Sequence, residues 1–150
     1  MLKKILYIIL TMFLSSLSLS SYSKECSGTW SNTVKMVDTI DLGEGVTLTV
    51  LSTRGTTSST NSNNNGVGGC GVLVLTLPNG KTMSKFSCYR KTPEGIWTDV
   101  GGQDVDTKEG YWKFVEGTNF FKGFKGEGTW DTLTADSETS QGTWKGDCSK

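Results

Sequence analysis

Cys26 stands four residues before Trp30, and Cys148 stands four residues after Trp144. Each of these tryptophans ends a Gly-Thr-Trp triplet, Gly28-Thr29-Trp30 and Gly142-Thr143-Trp144, and Gly128-Thr129-Trp130 is a third copy. The two ends of the chain thus carry mirror-image patterns. In an antiparallel pair with Trp30 opposite Trp144, Cys26 meets Cys148 and Gly28 meets Gly146, all on one face, because side chains alternate along a strand. The other face sets Ser27, Thr29 and Ser31 against Thr143, Lys145 and Asp147 and is polar throughout. The tryptophan face then points inward and the polar face meets solvent. Pairing of the first strand with the last closes the sheet and removes its edges, which predicts a single closed antiparallel β-barrel.

The intervening sequence agrees with an all-β chain. After residue 23 no long stretch has 3.6-residue apolar periodicity, while Val46, Leu48 and Val50 alternate with Thr47 and Thr49. Val34 to Leu42 is a weaker strand before it. Further strands are expected over Cys70 to Leu77, Lys81 to Arg90, Ile96 to Val100, Gly110 to Glu116, Glu127 to Thr134 and Gln141 to Cys148. Together with the first strand they make about nine, a number that suits a barrel or a sandwich.

Four cysteines allow three pairings, and their count alone does not choose. The turn Pro78-Asn79-Gly80 narrows the choice. Proline presets φ at the first turn position and glycine accepts positive φ at the third, so a three-residue loop sets Leu77 opposite Lys81. Counted outward, that register sets Cys70 opposite Cys88. The expected bridges are Cys70–Cys88 and Cys26–Cys148.

The chain begins Met1-Leu2-Lys3-Lys4, followed by an apolar run from Ile5 to Leu14 and a serine-rich stretch. A positive start, a short apolar segment and small residues at Ser21 and Ser23 read as a secretory signal peptide over residues 1–23, cleaved after Ser23. The apolar run falls short of the roughly 20 residues that cross a bilayer. The expected protein is therefore periplasmic or secreted, with no integral membrane segment after processing and one domain over residues 24–150. Arg54 to Gly69 holds one apolar residue, Val67, and reads as a mobile polar loop.

Several chemistries are excluded or disfavoured. The chain has no histidine, which removes Ser-His-Asp and Cys-His catalysis and histidine-ligated zinc. Residues 24–150 hold 13 basic and 15 acidic side chains, so nothing draws the protein to nucleic acid electrostatically. Lys122-Gly123-Phe124-Lys125-Gly126 faintly resembles an RNA-binding strand, but no nucleic-acid partner is expected. Asp104, Asp106 and Glu109 lack a full calcium-loop pattern and read as a solvated turn. No metal or other cofactor is expected. Asp99, Glu116 and Glu127 are candidate acids or bases should one of them lie inside the barrel.

The segment Gly117-Thr118-Asn119-Phe120-Phe121-Lys122-Gly123-Phe124-Lys125-Gly126-Glu127-Gly128 follows the pattern G-T-x-x-F-x-G-x-x-G-x-G. It resembles the glycine-rich hairpin of small exported bacterial proteins with an allene oxide cyclase or dirigent-like barrel. The family often has glycine where Asn119 stands, and asparagine tolerates the left-handed region that such a turn needs. The resemblance covers residues 110–148 and implies eight antiparallel strands. Plant members of the wider fold bind fatty-acid epoxides or guide phenolic radical coupling, but none of their catalytic residues matches a position here. A weaker resemblance, through the G-x-W motifs, is to avidin-like and lipocalin-like barrels.

In such a barrel the aromatics either fill the core or line a cavity for a small apolar or aromatic ligand. The candidate ligand-binding residues are Trp30, Trp130, Trp144, Phe121 and Phe124. Gly123 and Gly126 are expected in a tight turn or bulge. The function this supports is a binding or interaction module. The alternative is an isomerase or cyclase working on an apolar ligand through an interior carboxylate.

Overall fold

The computed structural model describes residues 24–60 and 65–150. The signal peptide expected over 1–23 and the middle of the expected loop, 61–64, lie outside the described residues. Eight strands follow in chain order: β1 (Lys24–Gly43), β2 (Val46–Ser59), β3 (Gly66–Thr76), β4 (Thr82–Thr92), β5 (Gly95–Gln103), β6 (Gly110–Gly117), β7 (Lys125–Ala135) and β8 (Thr139–Ser149). Each pairs antiparallel with its neighbour, and β1 pairs with β8 to close the barrel. The count is eight rather than nine because the first strand and the Val34 to Leu42 segment are one strand, bent by an irregularity between Val34 and Met36.

The hairpin β3–β4 has the register its turn chemistry demands. Leu77 N–H donates to Lys81 O at 2.8 Å and Gly80 N–H to Leu77 O at 2.9 Å. Gly80 takes φ +78°, a value that glycine adopts without steric cost. Cys70 lies opposite Cys88, and the two are bonded with their Cα atoms 4.1 Å apart.

Closure is achieved in a register two residues away from the one that aligns like with like. Trp30 faces Gly142, Gly28 faces Trp144, and Cys26 faces Gly146. A shift of two keeps every side chain on its expected face, so Cys26 still reaches Cys148, diagonally, with Cα atoms 5.8 Å apart. The shift sets a glycine under each indole. A Cβ on Gly142 would lie 2.7 Å from the Trp30 ring, and one on Gly28 would lie 2.8 Å from the Trp144 ring. Each of these indoles lies over the bare backbone of the facing glycine across β1–β8, whereas across β7–β8 Trp130 stands opposite Trp144.

Two expectations need correction. Most of the Arg54 to Gly69 stretch is paired strand: Arg54 faces Gly69, Gly55 faces Gly68 and Thr57 faces Gly66. Threonine and glycine, polar by composition, are here barrel-wall residues. Gly123 does sit in a turn, at φ +76°, but Gly126 lies within β7 opposite Cys148, beneath the Phe114 ring.

One end of the barrel is plugged. After β6 the chain makes a single 3₁₀ turn, Asn119–Phe121, entered through Asn119 at φ +51°. The turn is tied to the β4–β5 connection by Phe120 N–H to Glu94 O (3.2 Å) and to the start of β5 by Thr118 N–H to Ile96 O (2.8 Å). It drives Phe121, 1% exposed, against Trp97 at a ring separation of 4.7 Å. Phe124 and Phe120 pack around Phe121 at 5.8 and 5.1 Å.

Candidate functional site

The barrel is hollow above this plug. Its inward-facing side chains enclose a cavity of about 380 Å³. The lining reaches the hairpin end at Val34, Val74, Ser84, Ala135, Asp136 and Ser140, and includes no residue of the 3₁₀ turn at the other end. The cavity therefore opens at the hairpin end.

One wall, from β6, β7, β8 and β1, is aromatic. Trp30, Trp112, Phe114, Trp130 and Trp144 line it, joined edge to face: Trp30 to Trp130 at 6.3 Å and Trp112 to Trp144 at 5.6 Å. Facing Trp130 on β6 is Gly110, whose Cβ, if it had one, would fall 2.0 Å from the Trp130 ring. Two indoles are anchored by hydrogen bonds that fix their tilt. Trp112 Nε1–H donates to Thr129 O (3.1 Å) and Trp130 Nε1–H to Tyr111 O (3.1 Å).

The opposite wall, from β2 to β5, mixes polar groups among apolar ones. Thr53, Thr57, Arg90 and Asp99 line it, with Phe86, Trp97 and the Cys70–Cys88 bridge between them. Arg90 is buried and donates from Nε to Thr57 Oγ1 at 3.1 Å. Burial pulls its pKa below the usual guanidinium value, and the negative charge of Asp99 works in the opposite direction. Arginine remains charged even so. Asp99 is partly buried, on the inner face between Cys88 and Phe114. Burial pushes its carboxyl up to about 6, against the positive charge of Arg90 and a hydrogen bond from Trp97, which both favour the ionised form. A carboxyl poised near neutrality in an apolar cleft can accept or give a proton, which the ordinary surface carboxylate does poorly.

Of the residues singled out in the sequence, Trp30, Trp130 and Trp144 are brought together on the cavity wall. Phe121 and Phe124 are not part of the lining; the 3₁₀ turn commits them to the plug. Asp99 lies in the cavity, whereas Glu116 and Glu127 face solvent. Arg90, Thr53 and Thr57 were missed. The signal for Arg90 was available: it lies two positions after Cys88 and so shares the inner face of its strand. Asp104 and Asp106 pair with Lys85 (2.9 Å) and Lys81 on the outside of the barrel. Among the described residues, no cluster of acidic or cysteine side chains could hold a metal ion, and no helix is long and apolar enough to cross a membrane.

No family model matches the sequence, and no curated protein matches it either. Solved structures do match in fold. The pterocarpan synthase dirigent protein GePTS1 superposes with a TM-score of 0.54 at 9% identity, over 84% of this chain and 88% of that one. The pterocarpan synthase dirigent protein PsPTS1 gives 0.50 at 12% identity, over 84% and 92%. A pyocyanin demethylase gives 0.47 at 14% identity, over 77% and 97%. The chain is a disulfide-linked, eight-stranded barrel with the fold of the dirigent proteins, as the glycine-rich hairpin led one to expect.

Proposed function

We propose that this is an exported protein that holds a small apolar or aromatic ligand inside its barrel, with Trp30, Trp130 and Trp144 as the wall against which the ligand lies. The observation that carries the reading is the hollow interior: a cavity of about 380 Å³, open at one end and walled by indole rings. That volume falls in the range of small-molecule sites, which are concave, mostly apolar and furnished with a few polar groups. Two disulfides are compatible with export, since such bridges persist in oxidising compartments. The start of the chain supports the same reading, with residues 1–23 removed and 24–150 as the mature barrel. Native mass spectrometry of protein taken from the exported fraction tests it. A retained small molecule, released on unfolding, is the expected result. Protein found only inside the cell, or free of ligand and unable to bind any of a panel of planar aromatics by tryptophan quenching, would overturn it.

A second reading is favoured by one specific feature, the cavity carboxyl of Asp99. With a pKa of about 6 it is suited to move a proton in an isomerisation or cyclisation. Two barrels of this fold are synthases by name, which supports the reading by analogy of fold alone. Asp99→Asn separates the two readings: it abolishes turnover but leaves binding if the protein is an enzyme, and changes affinity alone if it is a binder.

A further inference from the structure

At the closed end of the cavity stands a buried charge with no direct ion-pair partner. Arg90 is 6% exposed and lies on β4 opposite Trp97, which rests on the plug. Its Nε–H crosses β3 at Gly68, where no side chain bars the way, to reach Thr57 on β2. The rest of the guanidinium is poorly served. One Nη lies 3.5 Å from Tyr89 O and the other 3.5 Å from Cys70 Sγ, a long contact and a weak acceptor. Among the described residues no carboxylate oxygen comes within 4.0 Å of it: the ion pairs are Lys81–Asp106, Lys85–Asp104, Lys113–Glu127 and Lys145–Glu109, all between exposed side chains. A guanidinium withdrawn from water is costly unless it is paired. Thr53 is equally buried, and its Oγ1 has no hydrogen-bond partner. Cys70 has the guanidinium against its sulfur and Thr53 across from it on β2, and both Arg90 and Thr53 line the cavity.

These donors call for an anionic acceptor. We propose that the guest of the barrel is an aromatic carboxylic acid, bound with its carboxylate at the closed end on Arg90 and Thr53 and its ring against the indole wall. The inference rests on the cavity reading above and adds the chemical class of the ligand. Arginine's planar fork matches the two oxygens of a carboxylate, and the Thr53 hydroxyl can donate to the same group. A single charge is favoured, because Asp99, opposite Cys88 on β5, supplies negative potential of its own. A dianion such as a phosphate ester would meet more repulsion than one guanidinium offsets. Asp99 can take up a proton as the anion arrives, since burial already pushes its carboxyl up to about 6. The register places the ring. Trp30 lies opposite Thr57, the residue that holds Arg90, so an aromatic group joined directly to the carboxylate meets indole next to the guanidinium.

Two matched probes test this, 2-naphthoate and 2-naphthamide, alike in size and different in charge. Each is titrated into the disulfide-bonded protein with tryptophan quenching as the readout. Naphthoate binds about 10- to 100-fold more tightly, the range for a hydrogen bond to a charged group. Arg90→Met keeps the bulk, removes the charge and brings the two probes to the same affinity, with the near-ultraviolet circular dichroism of the interior tryptophans reporting that the fold is retained. Thr53→Val replaces a hydroxyl by a methyl of the same size and weakens naphthoate by about threefold to tenfold, and it keeps the test decisive if the arginine variant does not fold. Equal affinities in the unaltered protein, a preference that survives in folded Arg90→Met, or no change in Thr53→Val would each overturn the proposal and leave the cavity reading standing. Failure of both probes to bind overturns the proposal as well, and the cavity reading with it when the wider panel of planar aromatics also fails.

Discussion

The two walls of the cavity are built in different ways. On the polar side a turn of three residues, Pro78-Asn79-Gly80, fixes the β3–β4 register, and Cys70–Cys88 confirms it across a separation of 18 residues. On the aromatic side no turn joins β8 to β1. Their register is set by indole rings lying over glycines, and Cys26–Cys148 holds it across 122 residues. The first kind of order is local and follows from backbone chemistry. The second depends on shape complementarity between parts of the chain that meet only when the fold is complete.

The largest expected effect breaks the aromatic side. Cys26→Ser with Cys148→Ser should destabilise by about 4 to 5 kcal/mol, the chain-entropy estimate for so long a loop, read as a lower denaturation midpoint. The barrel should persist, because ring-over-glycine packing remains. The corresponding change on the polar side, Cys70→Ser with Cys88→Ser, closes a far shorter loop and should cost about 3 kcal/mol by the same estimate. Equal losses would show that the bridges act through native packing rather than through the unfolded chain.

Asp99 sharpens the contrast, because it is the polar wall's internal cost. Its carboxyl moves from 3.8 to about 6 on folding, so the native state holds its proton more tightly than the unfolded chain does. The stability this contributes is fully present below about pH 4 and is lost as pH rises through 6. Asp99→Asn should therefore raise the free energy of unfolding at pH 7, by at most about 3 kcal/mol, and change it little near pH 4. A neutral-pH gain that vanished into a loss would mean that the carboxylate is held by partners stronger than Trp97 and Arg90. The smallest expected effect belongs to the aromatic wall: Gly110→Ala, which presses a methyl into the Trp130 ring, should cost about 1–3 kcal/mol. The displaced indole should show in the fluorescence spectrum.

The same division explains what could be read from the residues. Cys70 against Cys88 followed from turn chemistry alone, and the inward face of the Gly-Thr-Trp strands from the polar residues that alternate with the tryptophans. Trp30 against Trp144 did not hold: across β1–β8 each of these indoles faces a glycine, and it is Trp130, across β7–β8, that stands opposite Trp144. Residues 54–59 and 66–69 were read as loop because polar composition was weighed above pairing, yet threonine is a good strand residue. Of the site, the three tryptophans and Asp99 were legible as inward-facing candidates. Arg90 was not, since a buried arginine becomes intelligible only once Thr57, 33 residues away, is seen beside it.

The plug at Phe121 gives the barrel a single doorway. A guest of the kind proposed would have to leave by the way it entered. Trp97 rests on the plug and Asp99 stands two residues further along the same inner face, so the leading end of a guest is the part that passes closest to the carboxyl. A long guest would leave its tail among the hairpin turns at the rim. For such a guest, orientation would be set at the threshold.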